Sequence, residues 1–152
     1  FCKALNYCTV KLSRMIAKDG EGATKLIECE VRGAKSLKIA RTVARTVIKS
    51  SLVKAAMFGA DANWGRVLCA IGYAGADVDI HKIDVDFSSA GGDIAVCRGG
   101  YGVDFSEELA KKILLCDEIE IKINLNDGNY KATAWGCDLT YEYVRINGDY
   151  RT

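Results

Sequence analysis

The sequence predicts a single α/β unit, on three observations. Segments whose apolar residues recur at helical spacing take turns along the chain with segments that alternate apolar and polar residues one by one. Proline is absent. No repeat, low-complexity run or linker-like stretch divides the 152 residues, a length that one domain can fill around a sizeable core.

Taken in order, Leu5, Cys8, Leu12, Met15 and Ile16 form an apolar stripe with Lys3, Lys11, Arg14 and Lys18 mostly off it. This predicts an amphipathic helix ending at Asp19-Gly20. Thr24 to Arg32 sets Lys25, Ile27, Cys29 and Val31 on one face against Thr24, Leu26, Glu28 and Glu30 on the other, a half-buried strand closed by Gly33. From Ser36 to about Lys54 the positions Leu37, Ala40, Val43, Ala44, Val47 and Ile48 predict one helix. Its basic face of Lys38, Arg41, Arg45 and Lys49 reads as a solvated surface, since no aromatic residues interleave with the charges.

A short helix follows over Val67, Leu68, Ala70 and Ile71 to Gly72, with Asp61 or Asn63 as its cap. Residues 78–87 alternate as a strand with a change of phase near His81-Lys82, which predicts a bulge there. Ile94 to Cys97 is a short strand between two glycine-rich loops, neither of which has the spacing of a phosphate-binding loop. Ser106 caps a helix reaching about Leu115, with Glu107 and Glu108 in its first turn. Glu118–Leu125 and Tyr130–Cys137 are strands, and the Asn126-Asp127-Gly128-Asn129 turn between them predicts a hairpin. Asp138 then caps a last helix through Ile146.

Composition narrows the function. A net charge of +1, from 21 basic and 20 acidic residues, gives no electrostatic case for nucleic acid or an anionic membrane. Small molecules and protein are the expected partners. The seven cysteines form no CxxC pair, and His81 is the lone histidine, so no metal site is expected. Most of the cysteines sit among apolar residues and read as reduced core thiols of a cytosolic protein. No charged-then-apolar leader opens the sequence, so secretion is not expected.

Two stretches suit a binding role. In Asp19-Gly20-Glu21-Gly22-Ala23-Thr24-Lys25, glycines bracket a carboxylate where a helix ends and a strand begins. Such a junction can present Glu21 to a ligand, or it can be a plain helix stop and turn. Phe58-Gly59-Ala60-Asp61-Ala62-Asn63-Trp64-Gly65-Arg66 gathers Asp, Asn, Trp and Arg in one loop, explained equally by binding or by capping with a packed Trp.

The first of these stretches resembles the corresponding segment of the ornithine acetyltransferase family, the glutamate N-acetyltransferases of arginine biosynthesis. Further segments resemble it in the same order: Ser51-Leu52-Val53-Lys54 through Arg66, Gly72-Tyr73-Ala74-Gly75, Ala134-Trp135-Gly136-Cys137-Asp138-Leu139-Thr140, and Tyr143-Val144-Arg145-Ile146-Asn147 to Tyr150-Arg151-Thr152. The resemblance covers essentially the whole chain, 1–152, as the C-terminal portion of the catalytic β chain. It implies a layered α/β sandwich of the self-processing, N-terminal-nucleophile-like kind. It places the family's substrate-binding glutamate on Glu21, its asparagine on Asn147 and its threonine on Thr152.

The same resemblance implies an acyltransferase that moves the acetyl group of N2-acetyl-L-ornithine to L-glutamate through an acetyl-threonine intermediate. The threonine is freed when the precursor cuts itself before an Ala-Thr-Met motif. No Ala-Thr-Met occurs in this sequence, so no catalytic residue is assigned here. The expected partners are the N-terminal part of the β chain and the α chain of the same precursor, which is expected to supply the oxyanion hole, assembled as a hetero-oligomer. No cofactor is implied, and acetyl-CoA, where it serves as a donor, is a substrate. The alternative is a non-catalytic binding or structural module, in which the same residues serve as turns and caps.

Overall fold

The computed structural model describes residues 1–149. Six strands form one mixed sheet: β1 (Leu26–Ala34), β2 (Asp84–Ser89), β3 (Gly92–Arg98), β4 (Tyr101–Gly102), β5 (Glu118–Asn124) and β6 (Tyr130–Cys137), in the order β4-β3-β2-β5-β1-β6. The helices are α1 (Cys2–Lys18), α2 (Leu37–Lys49), α3 (Ser51–Phe58), α4 (Trp64–Gly72), α5 (Glu107–Leu114) and α6 (Tyr141–Asp149).

One sheet face is the core. Ile27, Cys29 and Val31 of β1, Ile119, Ile121 and Ile123 of β5, and Val85 and Phe87 of β2 are all buried with Ala40, Val43, Ala44 and Val47 of α2. The two-residue period of the strands meets the 3.6-residue period of the helix, which is the pattern the sequence carries. Gly136 of β6 lets α2 approach: a Cβ there would collide with the Ile48 side chain. The other face is polar, with Glu28, Glu30, Asp86, Glu120 and Lys122 half-buried across neighbouring strands.

The predicted helix over 36–54 is two helices. Ser50 has extended backbone angles (φ −65°, ψ 114°), and its hydroxyl accepts from the Val53 amide at 3.4 Å to cap α3. Apolar residues lie on both sides of the break, so periodicity alone hides it. The predicted strand over 78–87 starts only at Asp84: Ile80–Lys82 is a 3-10 turn whose first amides are capped by Asp79, with the Asp79 carboxylate 3.0 Å from the His81 nitrogen.

The predicted hairpin is the largest departure. β5 and β6 do not pair; β1 lies between them, parallel to β5 (Ile27 opposite Ile119) and antiparallel to β6 (Ile27 opposite Gly136). The amides of the intervening turn bond across to the end of β1, from Leu125 to the Arg32 carbonyl at 2.9 Å and from Asp127 to the Gly33 carbonyl at 2.8 Å. A hairpin would leave the most apolar stretch of β1 at a sheet edge, whereas insertion pairs both of its edges and leaves the edge to β6, which has no buried residue.

Cysteine placement also differs from expectation. All seven are free thiols, but only Cys29 and Cys97 are buried, while Cys2, Cys8 and Cys69 are exposed and Cys116 and Cys137 lie between. Helix α1 has no buried residue, and Leu12, Met15 and Ile16 of its apolar stripe are 55, 57 and 75% exposed. It is held to the polar sheet face by ion pairs instead, Arg14 with Glu28 and Glu118, and Lys18 with Glu118 at 3.0 Å.

Candidate substrate-binding site

The glycine-bracketed loop is anchored from behind before it presents anything. Lys25 lies on the core phase of β1 and is 9% exposed. Its ammonium donates to the carbonyls of Met57 at 2.6 Å, Phe58 at 3.4 Å and Leu114 at 2.8 Å. These are the last carbonyls of α3 and α5, which have no partner within their own helices and carry the negative end of the helix dipole. Burial lowers the Lys25 pKa below its ordinary value, and the Asp138 and Asp117 carboxylates oppose that fall.

Asp138, predicted to cap the last helix, does something else. It is 3% exposed, and its carboxylate accepts from the Thr24 amide at 2.8 Å, the Lys25 amide at 3.0 Å and the Thr24 hydroxyl at 2.5 Å. Two backbone donors at the irregular entrance to β1, which lack a ladder partner, are satisfied this way. The cap of α6 is Thr140, whose oxygen accepts from the Tyr143 amide at 3.3 Å. The same hydroxyl donates to the Gly22 carbonyl at 2.6 Å.

Gly22 needs to be glycine. Its φ is +66°, in the left-handed region, and a Cβ would lie 2.8 Å from the Tyr143 nitrogen and 3.0 Å from the Glu142 Cβ. The loop therefore lies directly on the first turn of α6. Phe58 supports the helix from the other side with an edge-on contact to Tyr141, ring centroids 5.4 Å apart.

This arrangement brings together two of the three residues named from the sequence. The Asn147 amide nitrogen donates to Glu21 Oε2 at 2.6 Å and to the Tyr143 carbonyl at 2.9 Å, joining positions 126 residues apart. Both partners are acceptors, which fixes the amide orientation and uses both of its hydrogens. Among the described residues, Glu21 Oε1 and Asn147 Oδ1 are left with no donor, on exposed side chains. The pair offers a ligand acceptors only. Thr152 lies outside the described residues.

A family model described as ArgJ family matches residues 1–152. The chain belongs to the ArgJ family. It is 57% identical over 152 residues to arginine biosynthesis bifunctional protein ArgJ 1 of Clostridium acetobutylicum, covering 100% of this chain and 37% of that relative. It is 51% identical over 142 residues to glutamate N-acetyltransferase of Methanosarcina mazei, covering 93% of this chain and 36% of that protein. The crystal structure of arginine biosynthesis bifunctional protein ArgJ from Bacillus halodurans superposes with a TM-score of 0.91 at 48% identity, covering 97% of this chain and 68% of that one. The chain thus spans a little over a third of the length of the curated relatives it matches.

The second stretch named from the sequence resolves into capping and packing. Asn63, not Asp61, caps α4, accepting from the Arg66 amide at 3.1 Å while donating to Asp61 at 3.0 Å. The Arg66 guanidinium donates to the Leu52 carbonyl at 3.1 Å, and the Trp64 ring lies against Gly102, where a Cβ would strike it. His81 is exposed and stacks on Tyr101, centroids 6.0 Å apart. Among the described residues no group of three His, Cys, Asp or Glu side chains is placed to hold a metal ion, and no helix is long and apolar enough to cross a membrane.

The residues that the sequence reading missed are Lys25, Asp138 and Thr140. A signal for Lys25 was present: a lysine sharing the phase of Ile27, Cys29 and Val31 must bury its stem and find acceptors for its amine. No comparable signal marks Asp138 or Thr140, because a helix cap and a loop anchor use the same residue types.

Proposed function

We propose that the protein carrying this chain transfers the acetyl group of N2-acetyl-L-ornithine to L-glutamate, and that Glu21, Asn147 and Thr152 bind the amino-acid substrates. The observation that carries this reading is the Glu21–Asn147 pair, whose atoms left without a donor among the described residues are a carboxylate oxygen and an amide oxygen. An exposed pair of acceptors, one of them ionised, suits an ammonium group. N-acetylornithine keeps its side-chain ammonium when its α-amine is acetylated, so it can meet this pair in the first half-reaction. The names of relatives in the same family, arginine biosynthesis bifunctional protein and glutamate N-acetyltransferase, agree in substrate class.

In this reading a threonine hydroxyl outside the chain attacks the acetyl carbonyl. The amide C–N bond breaks, ornithine leaves with the proton, and the acetyl group remains as an ester. The glutamate amine then attacks the ester carbonyl and the hydroxyl is regenerated. The remainder of the β chain and the α chain of the same precursor complete the site in a cytoplasmic hetero-oligomer. No metal or prosthetic group is assigned a part, and acetyl-CoA, where it donates, enters as a substrate.

Glu21→Gln in the full-length protein tests the binding role. A charge-assisted contact is worth about 1.5–3 kcal/mol, so the KM for N-acetylornithine should rise about 10- to 100-fold with a smaller change for glutamate. Unchanged constants for both substrates would leave Glu21 as a turn residue in a structural module.

A further inference from the structure

The hydrogen bonds around the loop close on themselves. The Glu21 carboxylate accepts from Asn147 at 2.6 Å, and Asn147 also donates to the Tyr143 carbonyl at 2.9 Å. The Tyr143 amide donates to Thr140 at 3.3 Å, and Thr140 donates to the carbonyl of Gly22 at 2.6 Å, the residue bonded to Glu21. Every member except Thr140 either offers an atom to the ligand or is main chain. Thr140 is 5% exposed, so its hydroxyl is not itself a ligand contact.

We propose that Thr140 is a positioning residue for substrate binding: its hydroxyl joins the Gly22 carbonyl to the Tyr143 amide and so sets the distance between the Glu21 carboxylate and the Asn147 amide. The inference rests on the binding role argued above for that pair.

Three features support it. The hydroxyl uses its single proton on Gly22 and a lone pair on Tyr143, so one small group fixes both the loop and the helix. The loop has little else to hold its outer side, because Asp138 and Lys25 anchor it two and three residues further on, at Thr24 and Lys25. Helix α6 has no buried residue, and its aromatic contact with Phe58 is made by Tyr141 in its first turn, so side-chain packing does little to fix where Asn147 stands near its end. A hydroxyl lost at position 140 lets loop and helix drift apart, and a pair of acceptors that must converge on one ammonium then loses its geometry.

The test uses the full-length protein with Thr140→Val, which keeps the shape and removes the hydroxyl, and Thr140→Ser, which keeps the hydroxyl. Thr140→Val should raise the KM for N-acetylornithine about tenfold and leave kcat within about twofold, and Thr140→Ser should restore the KM. The double variant with Glu21→Gln should cost less than the product of the two single effects, since one acts through the other. Three results would overturn the proposal: an unchanged KM in Thr140→Val, a Thr140→Val protein that fails to fold or melts at a much lower temperature, or a KM effect that multiplies fully with Glu21→Gln. The last of these, with Glu21→Gln itself impaired, removes only the positioning role, whereas a Glu21→Gln enzyme with normal constants removes the binding role on which it rests.

Discussion

Replacing Lys25 by Met keeps the buried stem and deletes the ammonium, which isolates what the three carbonyl contacts contribute. Two of them, to Met57 at 2.6 Å and Leu114 at 2.8 Å, have good length, while the third, to Phe58 at 3.4 Å, is weak. A hydrogen bond to a charged group contributes about 1.5–3 kcal/mol, so the two good ones set a gross loss of about 3–6 kcal/mol. Against that stands the cost of keeping the ammonium out of water, which the lowered Lys25 pKa registers and which methionine does not incur. The acceptors left behind are neutral, and the Met57 carbonyl keeps the Ala60 amide at 3.2 Å, but the Leu114 carbonyl loses the donor that Lys25 supplied. We expect a net destabilisation of about 2–4 kcal/mol, equivalent to a fall of about 4–16 °C in Tm for a chain of this size. Thermal and urea unfolding of the 152-residue chain measure it. A Tm shift under about 2 °C would refute the reasoning, because the amine would then contribute no more than its desolvation costs.

Asp138→Ala should destabilise the chain by about 2–4 kcal/mol in urea unfolding, since the amides of Thr24 and Lys25 lose their acceptor, while Asp138→Asn, which keeps an oxygen for both, should lose about 1 kcal/mol; equal effects would count against this account. The Lys18 and Arg14 cations hold the Glu118 carboxyl below its ordinary value of 4.5. Its pKa being depressed in the fold, the small stability it contributes is present above pH 4.5 and is lost as pH falls through the folded value. An NMR titration of Lys18→Met should show the Glu118 carboxyl moving back up toward 4.5, and an unmoved value would mean that Lys18 is not its partner.

The elements with one apolar face were legible because their periods are unambiguous: β1, α5 and β5 fall within about two residues of where the spacing puts them, and α2 starts where it should but stops at Lys49. What failed depends mostly on neighbours distant in sequence, with one local exception at Ser50. The β5–β6 turn has hairpin chemistry at Asp127-Gly128, yet its amides bond to Arg32 and Gly33, and nothing local announces that β1 will enter between. The Ser50 break was invisible because a serine that caps α3 reads equally as a polar residue on a continuous helix. At the site, the glycine bracket raised Glu21 as one of two readings, and the family resemblance alone reached Asn147 and joined the two in one role. Their contact spans 126 positions, and no periodicity carries information over that distance.

The same distance explains why the site is built as it is. A nine-residue helix such as α6 is marginal alone, and with no buried residue it gains little from apolar packing. Its Tyr141 and Val144 side chains are 82 and 64% exposed. What fixes it to the body is therefore mainly polar and directional: the Thr140 cap shared with Gly22 and the Asn147 amide shared with Glu21, with the edge contact of Tyr141 on Phe58 as the aromatic contact beside them. Apolar packing tolerates sliding, whereas hydrogen bonds of 2.6 Å at both ends of one helix set its position and rotation together. The left-handed Gly22 makes this possible by bringing the loop backbone against the helix, and the Asp138 and Lys25 anchors supply the rigid ground behind it. Glu21 can thus be solvent-facing and still stand at a defined place, which is what a carboxylate that must meet an ammonium requires.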